Sequence, residues 1–235
     1  MDFLKFGWRI KMNNNTIIVF DFETGGLDTR TTEPIEIAAL ALNPRDLSPI
    51  PGGTFYSLCK PTNWDIVSDE ALKINGKTRD QLQKAPEQSV VWASFINYIK
   101  QYNSKKGSIY TAPIPGGKNI RGFDLPIFNR LCEQYRFVDS KGVQNIFHRR
   151  KVYDLEDFIE MWFEGCNELP NQKMDTIREY FGMDTANAHE AMTDTVQTAQ
   201  LIIRFLKLHR NTFQKIKFKD SCAVLPEELS RLLHK

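Results

Sequence analysis

Two carboxylates one residue apart, Asp21 and Glu23, close the run Thr16-Ile17-Ile18-Val19-Phe20-Asp21-Phe22-Glu23-Thr24-Gly25-Gly26-Leu27. Side chains alternate along a strand, so an apolar strand here projects both acids from one face at its end. Carboxylates held side by side repel each other unless a cation lies between them, and oxygen donors of this kind suit hard ions such as Mg²⁺ and Mn²⁺. The spacing alone decides little. With 29 acidic residues among 235, chance supplies about one Asp-x-Glu. Asp154-Leu155-Glu156 is such a copy: it reads as the N-cap of a helix over Leu155–Glu164, with Glu156 and Asp157 in its first turn. Asp21 and Glu23 differ because a long apolar strand precedes them and Gly25-Gly26 follows.

Two further places carry chemistry. In Asn119-Ile120-Arg121-Gly122-Phe123-Asp124-Leu125-Pro126, Asp124 lies at a helix entrance after a glycine-bearing loop. It fits an N-cap, with Pro126 in the first turn, and a capping carboxylate can still offer its second oxygen to a site. In His189-Glu190-Ala191-Met192-Thr193-Asp194, the histidine precedes the aspartate by five positions. Five helical steps turn by about 140°, so the two share a site only if His189 lies in the loop before the helix that carries Asp194. Together, Asp21, Glu23, Asp124 and Asp194 make an acidic nest with a histidine beside it. Two-metal phosphodiester hydrolysis needs such a set: anionic oxygens for two ions about 4 Å apart, and a base to activate water.

The elements that would position these residues can be read from periodicity. After the first strand, Pro34–Leu42 and Thr54–Lys60 read as strands of an antiparallel meander, separated by a Pro/Gly-rich loop. Short helices are expected over Ser68–Ile74 and Lys77–Lys84, and an amphipathic one over Ser89–Tyr102. Gly107–Ile114 reads as a fourth strand ended by Pro115-Gly116-Gly117, and Lys151–Tyr153 as a short fifth. Helices are expected over Leu125–Tyr135, Lys173–Phe181 and Glu190–His209, and in a tail over Pro226–Leu233. A meander followed by alternating helices and strands indicates a layered α/β fold with a mixed five-stranded sheet flanked by helices.

Composition narrows the class without naming a partner. An apolar content of 41% with 26% charged residues describes an ordinary globular protein. No apolar run approaches the roughly 20 residues of a membrane span, and Met1 to Lys11 lacks a secretory cleavage pattern. Met12 could serve as an alternative start. Cys59, Cys132, Cys166 and Cys222 are widely spaced without Cys-x-x-Cys, which reads as free thiols in a reducing cytoplasm. The net charge is only +2, but Arg204–Lys219 and His148-Arg149-Arg150-Lys151 are basic clusters that could contact phosphates or simply face water.

The motifs as a set resemble the DEDDh, or DnaQ-like, 3′→5′ exonucleases, which have a ribonuclease H-like fold. Phe20 to Leu27, Asn119 to Leu131 and His189 to Asp194 are similar to the family's three motifs, in order, and Ile66 to Thr78 to a segment beside its site. The likeness runs from about Thr16 to Leu206. It implies a catalytic domain over 16–210, an N-terminal extension over 1–15 and a basic, helical tail over 211–235. It further implies two divalent ions, Mg²⁺ or Mn²⁺, held by Asp21, Glu23, Asp124 and Asp194, with Asp21 reaching both and His189 as general base. The terminal nucleotide would be held around Thr24, Gly25, Gly26 and Leu27, with Phe22, Ile74, Asn119 and Phe123 beside it. Single-stranded DNA 3′ ends are the expected substrate, in proofreading or repair, with a DNA polymerase or other replication protein as a possible partner. Two other readings stay open: an exonuclease for RNA 3′ ends or short oligoribonucleotides, and a nucleic-acid-binding or polymerase-docking subunit. Gly25, where the family often has Thr, and Lys118, where a His often precedes the Asn, depart from the pattern.

Overall fold

The computed structural model describes residues 15–184 and 190–215, with side chains placed to residue 212. The expectations for the N-terminal extension, for His189 and for the Pro226–Leu233 helix lie outside the described residues. Among the described residues, five strands, β1 (Ile17–Thr24), β2 (Pro34–Leu42), β3 (Pro49–Leu58), β4 (Ile114–Gly117) and β5 (Tyr153–Asp154), form one sheet in the order β3-β2-β1-β4-β5. β1, β2 and β3 pair antiparallel, whereas β4 and β5 add parallel to β1. The mixed sheet therefore has β1 at its centre. Among the described residues, seven α-helices flank it: α1 (Asp69–Ile74), α2 (Arg79–Gln83), α3 (Gln88–Lys100), α4 (Asp124–Gln134), α5 (Leu155–Trp162), α6 (Met174–Tyr180) and α7 (Ala191–Lys215).

The parity of β1 assigns its two faces. Ile18, Phe20 and Phe22 enter an aromatic core with Trp92 and Phe95 of α3 and Phe128 of α4. The Phe20 ring centroid lies 5.1 to 6.0 Å from those of Phe22, Phe95, Phe128 and Phe147, contacts worth about 0.5–1.5 kcal/mol each beyond area burial. Ile17 and Val19 face a second core with Leu155 of α5 and Leu201, Ile202 and Phe205 of α7. Burial on both faces explains why this strand reads as a continuous apolar run. Asp21 and Glu23 continue the odd-numbered series, so they leave the sheet on the α7 side, where the apolar packing ends.

Two strands depart from the sequence reading. β3 starts at Pro49 rather than Thr54, because Asn43–Ser48 folds as a tight turn: the Leu47 N–H donates to the Asn43 carbonyl at 2.9 Å. β4 is Ile114–Gly117, so Pro115-Gly116-Gly117 lies inside the strand and does not terminate it. The expected strand segment Gly107–Ile114 is mostly turn, held in part by Thr111 Oγ1 donating to Asn103 Oδ1 at 2.7 Å. Glycine suits this strand for a packing reason, since a Cβ on Gly117 would lie 2.9 Å from Ile120 Cβ. Finally, α7 runs six residues past His209, across the 210/211 boundary, and Arg210 donates to the carbonyls of Pro44 and Arg45 at 2.9 and 2.7 Å.

Candidate active site

The acids expected in the nest come from three elements. Asp21 and Glu23 sit at the C-terminal end of β1, each partly buried. Asp124 opens α4 and is 3% exposed. Phe123, not Asp124, is the N-cap residue, and it makes no side-chain capping bond. The Asp124 carboxylate instead accepts from the Phe22 N–H at 3.0 Å, which ties the start of α4 to β1 between the two strand acids. That contact corrects the capping expectation: Phe123 is the N-cap, and the Asp124 carboxylate ties α4 to β1. The bland copy behaves as the sequence implies, for Asp154 caps α5 by accepting from the Glu156 N–H at 3.2 Å. Asp194 lies in the first turn of α7, with a side chain 17% exposed.

Electrostatics show that these groups act on one another. Burial, then the charges of Asp194 and Glu36, raises Asp21 from the ordinary 3.8 to about 7, while Arg178 opposes the rise. Burial, then Asp21, Asp194 and Glu36, raises Glu23 from 4.5 to about 8, opposed by Lys77. Asp124 is also pushed well up, by burial first and Asp21 second, against the Phe22 N–H. Several carboxylates crowded together, each disfavouring the others' charge, form a site short of positive charge.

An all-oxygen, anion-rich donor set fits hard divalent cations. Among the described residues, no three Asp, Glu, His or Cys side chains are grouped so that they could hold a metal ion as they stand. The donors therefore fit such an ion by chemistry and by charge deficit, while the enclosure itself is not preformed.

Three neighbours escaped the sequence reading. Glu36 is directly opposite Glu23 across β1 and β2, 1% exposed, and accepts from Tyr56 Oη at 2.6 Å and pairs with Lys77 Nζ at 3.0 Å. Given the meander, the register alone could have found it, because a directly opposed residue shares the face. Lys77 and Arg178 carried no comparable signal, since each reaches the site only through tertiary packing. Lys118 turns toward α5 instead, donating to Glu156 at 2.6 Å.

Beside Glu23 opens a groove of about 550 Å³ lined by Phe22, Glu23, Thr24, Gly26, Leu27, Ser68, Glu70, Ala71, Ile74, Asn75 and Phe123. Six of the expected nucleotide-contacting residues lie on it: Phe22, Thr24, Gly26, Leu27, Ile74 and Phe123. Leu27 is 88% exposed and Ile74 55%, so two apolar side chains wait uncovered at its rim. Gly25 and Asn119 do not line it. A Cβ on Gly25 would lie 3.0 Å from Val67, so Gly25 instead lets the Val67–Ser68 segment close against β1, its carbonyl accepting from the Ser68 N–H at 2.9 Å. Asn119 adopts a left-handed φ of 51°, and its carbonyl accepts from the Gly122 and Phe123 N–H groups, which shapes the loop before α4. Asn75, unforeseen, holds the Thr24 carbonyl at 3.1 Å.

The chain is similar to known nucleases and polymerases over much of its length. Residues 18–108 match the model of a family described as Exonuclease. A DNA polymerase III of PolC type from Thermotoga petrophila is 24% identical over 197 residues, covering 83% of this chain and 12% of its own length. Exodeoxyribonuclease I of Escherichia coli is 24% identical over 229 residues, covering 88% of this chain and 45% of its own. The chain is similar to these exonucleases, and the family model matches less than half of it. It spans less than half the length of either of these two relatives.

The fold agrees as well. Escherichia coli Exonuclease I in complex with a dT13 oligonucleotide superposes with a TM-score of 0.66 at 20% identity, over 85% of this chain and 43% of that one. This likeness places the mixed sheet within the ribonuclease H-like fold. Another solved complex of the same Escherichia coli enzyme with single-stranded DNA is a zinc-bound form (TM-score 0.65, 21% identity, over 86% of this chain and 42% of that one). Among the described residues, no helix is long and apolar enough to cross a membrane.

Proposed function

We propose that this chain is a DnaQ-like exonuclease that removes nucleoside 5′-monophosphates one at a time from the 3′ end of single-stranded DNA. The observation that supports the reading is the mutual electrostatic influence of Asp21, Glu23, Asp124 and Asp194 at the end of β1, with an apolar groove beside Glu23. Asp21, Glu23 and Asp194 would hold one Mg²⁺ or Mn²⁺ and Asp21 with Asp124 a second. When bound, such ions neutralise the scissile phosphate and make a water a better nucleophile.

The chain's own residues do the rest. The groove takes the terminal nucleotide, with Leu27, Ile74 and Phe123 against its base and Thr24 and Gly26 along its backbone. Base stacking on apolar and aromatic side chains tolerates any sequence and favours an end that needs no unpairing. The Phe22 N–H keeps Asp124 fixed while the strand acids stay in register with it. His189, outside the described residues, is assigned by its motif as the base that takes the proton of the attacking water. Association with a DNA polymerase is proposed on the PolC-type likeness alone.

The test is digestion, in Mg²⁺, of single-stranded DNA, duplex DNA and RNA, each labelled at the 5′ or the 3′ end. The reading expects immediate release of a labelled 3′ mononucleotide and a shortening ladder from the 5′ label, fastest on single-stranded DNA. Faster digestion of matched RNA would move the assignment to an exoribonuclease. A protein that binds these strands without digesting them in either metal would replace it with a binding or docking role.

A further inference from the structure

Arg178 is the one positively charged side chain among the described residues whose residue is wholly buried, and it stands beside the carboxylate nest. It rises from α6, yet its guanidinium is spent mainly on α7. Nε donates to Gln197 Oε1 at 2.6 Å, Nη2 donates to Asp194 Oδ1, and Nη1 reaches Asp175 at 2.8 Å. The Asp175 arm faces solvent, its side chain 71% exposed, whereas the Asp194 arm is enclosed. Gln197 is anchored in turn, donating from Nε2 to the Asp184 carbonyl at 2.7 Å. The Arg178 carbonyl accepts from the Met183 N–H at 2.8 Å, so side chain and backbone of one residue fix the approach to α7.

Packing α6 against α7 does not require a cation. Desolvating a guanidinium is costly, and apolar residues of similar volume commonly serve such contacts as well or better. A planar fork held at three points does something an apolar residue cannot: it fixes the rotation of one carboxylate. Asp194 and Gln197 are three residues apart, on one face of α7, and a single guanidinium spans both. We propose that Arg178 is a positioning residue, which clamps Asp194 in its working orientation and serves as a resident counter-cation for the nest. The inference rests on the reading of Asp194 as a metal-holding residue.

A guanidinium next to bound divalent ions repels them, so its contribution should lie in geometry and not in metal affinity. This separates it from a residue that merely gathers metal. The full chain is compared with Arg178→Gln, which keeps one donor without charge, and Arg178→Lys, which keeps charge without the fork. Thermal melts establish which variants are folded. Mn²⁺ binding is read by electron paramagnetic resonance without substrate, and kcat and KM on a 3′-labelled single-stranded oligodeoxynucleotide at saturating Mn²⁺. Folded Arg178→Gln should bind Mn²⁺ as tightly as the parent or more tightly, lose at least tenfold in kcat, and change KM less than threefold. Arg178→Lys should recover part of the lost kcat, and it carries the test alone if Arg178→Gln does not fold, with at least a threefold loss of kcat and KM again changed less than threefold.

A parental kcat at saturating Mn²⁺ in the folded variant that carries the test overturns the inference. So does a loss of Mn²⁺ affinity that saturating metal fully corrects. If the parent itself digests nothing in Mn²⁺, the functional reading fails instead, which the parallel control makes plain.

Discussion

Withholding metal should make this protein less stable as pH rises, the opposite of ordinary acid denaturation. In the unfolded chain, Asp21 loses its proton near the ordinary 3.8, but in the fold only near 7, because burial and the charges of Asp194 and Glu36 oppose it. Between these values the folded state binds more protons than the unfolded state, so stability falls with rising pH. The contribution is complete below the lower value and gone above the upper. Glu23, raised to about 8, extends the decline into mildly alkaline solution. From about pH 5.5 to pH 7, Asp21 alone accounts for a loss of about 2 kcal/mol. In a chain of this size that lowers Tm by roughly 4 to 8 °C. Thermal melts in chelator across this window measure it, with Asp21→Asn as the control that should flatten the slope. Added Mg²⁺ should raise Tm more at about pH 8.5 than at pH 5.5, since it replaces the protons the nest otherwise needs. A metal-free Tm that is flat or rises with pH in the parent, with no difference from Asp21→Asn, would refute the reasoning.

Asp194→Asn should cut single-stranded DNA digestion by at least about a hundredfold. It should also lower stability by roughly 3–5 kcal/mol in urea titration, because Arg178 is left buried with a weaker partner. Leu27→Ala and Ile74→Ala remove exposed side chains, so Tm should stay within a degree or two while KM for single-stranded DNA rises several-fold, by up to about 1 kcal/mol each. Gly117→Ala would press a methyl group 2.9 Å from Ile120 and should destabilise the fold by about 1–3 kcal/mol, read as a shift in urea midpoint.

What the sequence revealed depended on how local the physics was. β1 was legible because a doubly buried strand must be apolar throughout, and its end because two acids and two glycines break the run. Asp154 was legible as a cap because capping is decided within three residues. Asp124 offered the same local signal, yet its carboxylate is held by the Phe22 N–H, 102 positions away in the chain. β4 was misplaced for a related reason. Pro and Gly ordinarily end strands, but here close packing by Ile120 and Val19 makes glycine the residue that fits. Glu36 was recoverable in principle from strand register. Arg178 was not, since nothing near it in sequence marks a buried arginine, and only the approach of α6 to α7 brings it to Asp194.

The most direct test of the account is the number of Mn²⁺ ions held by the intact chain at mildly alkaline pH, measured by electron paramagnetic resonance with a nucleoside 5′-monophosphate present. The account predicts two ions per chain in the parent and fewer than one in Asp21→Asn, the residue assigned to both. A parent that binds none, or an Asp21→Asn protein that binds as many as the parent, would contradict it.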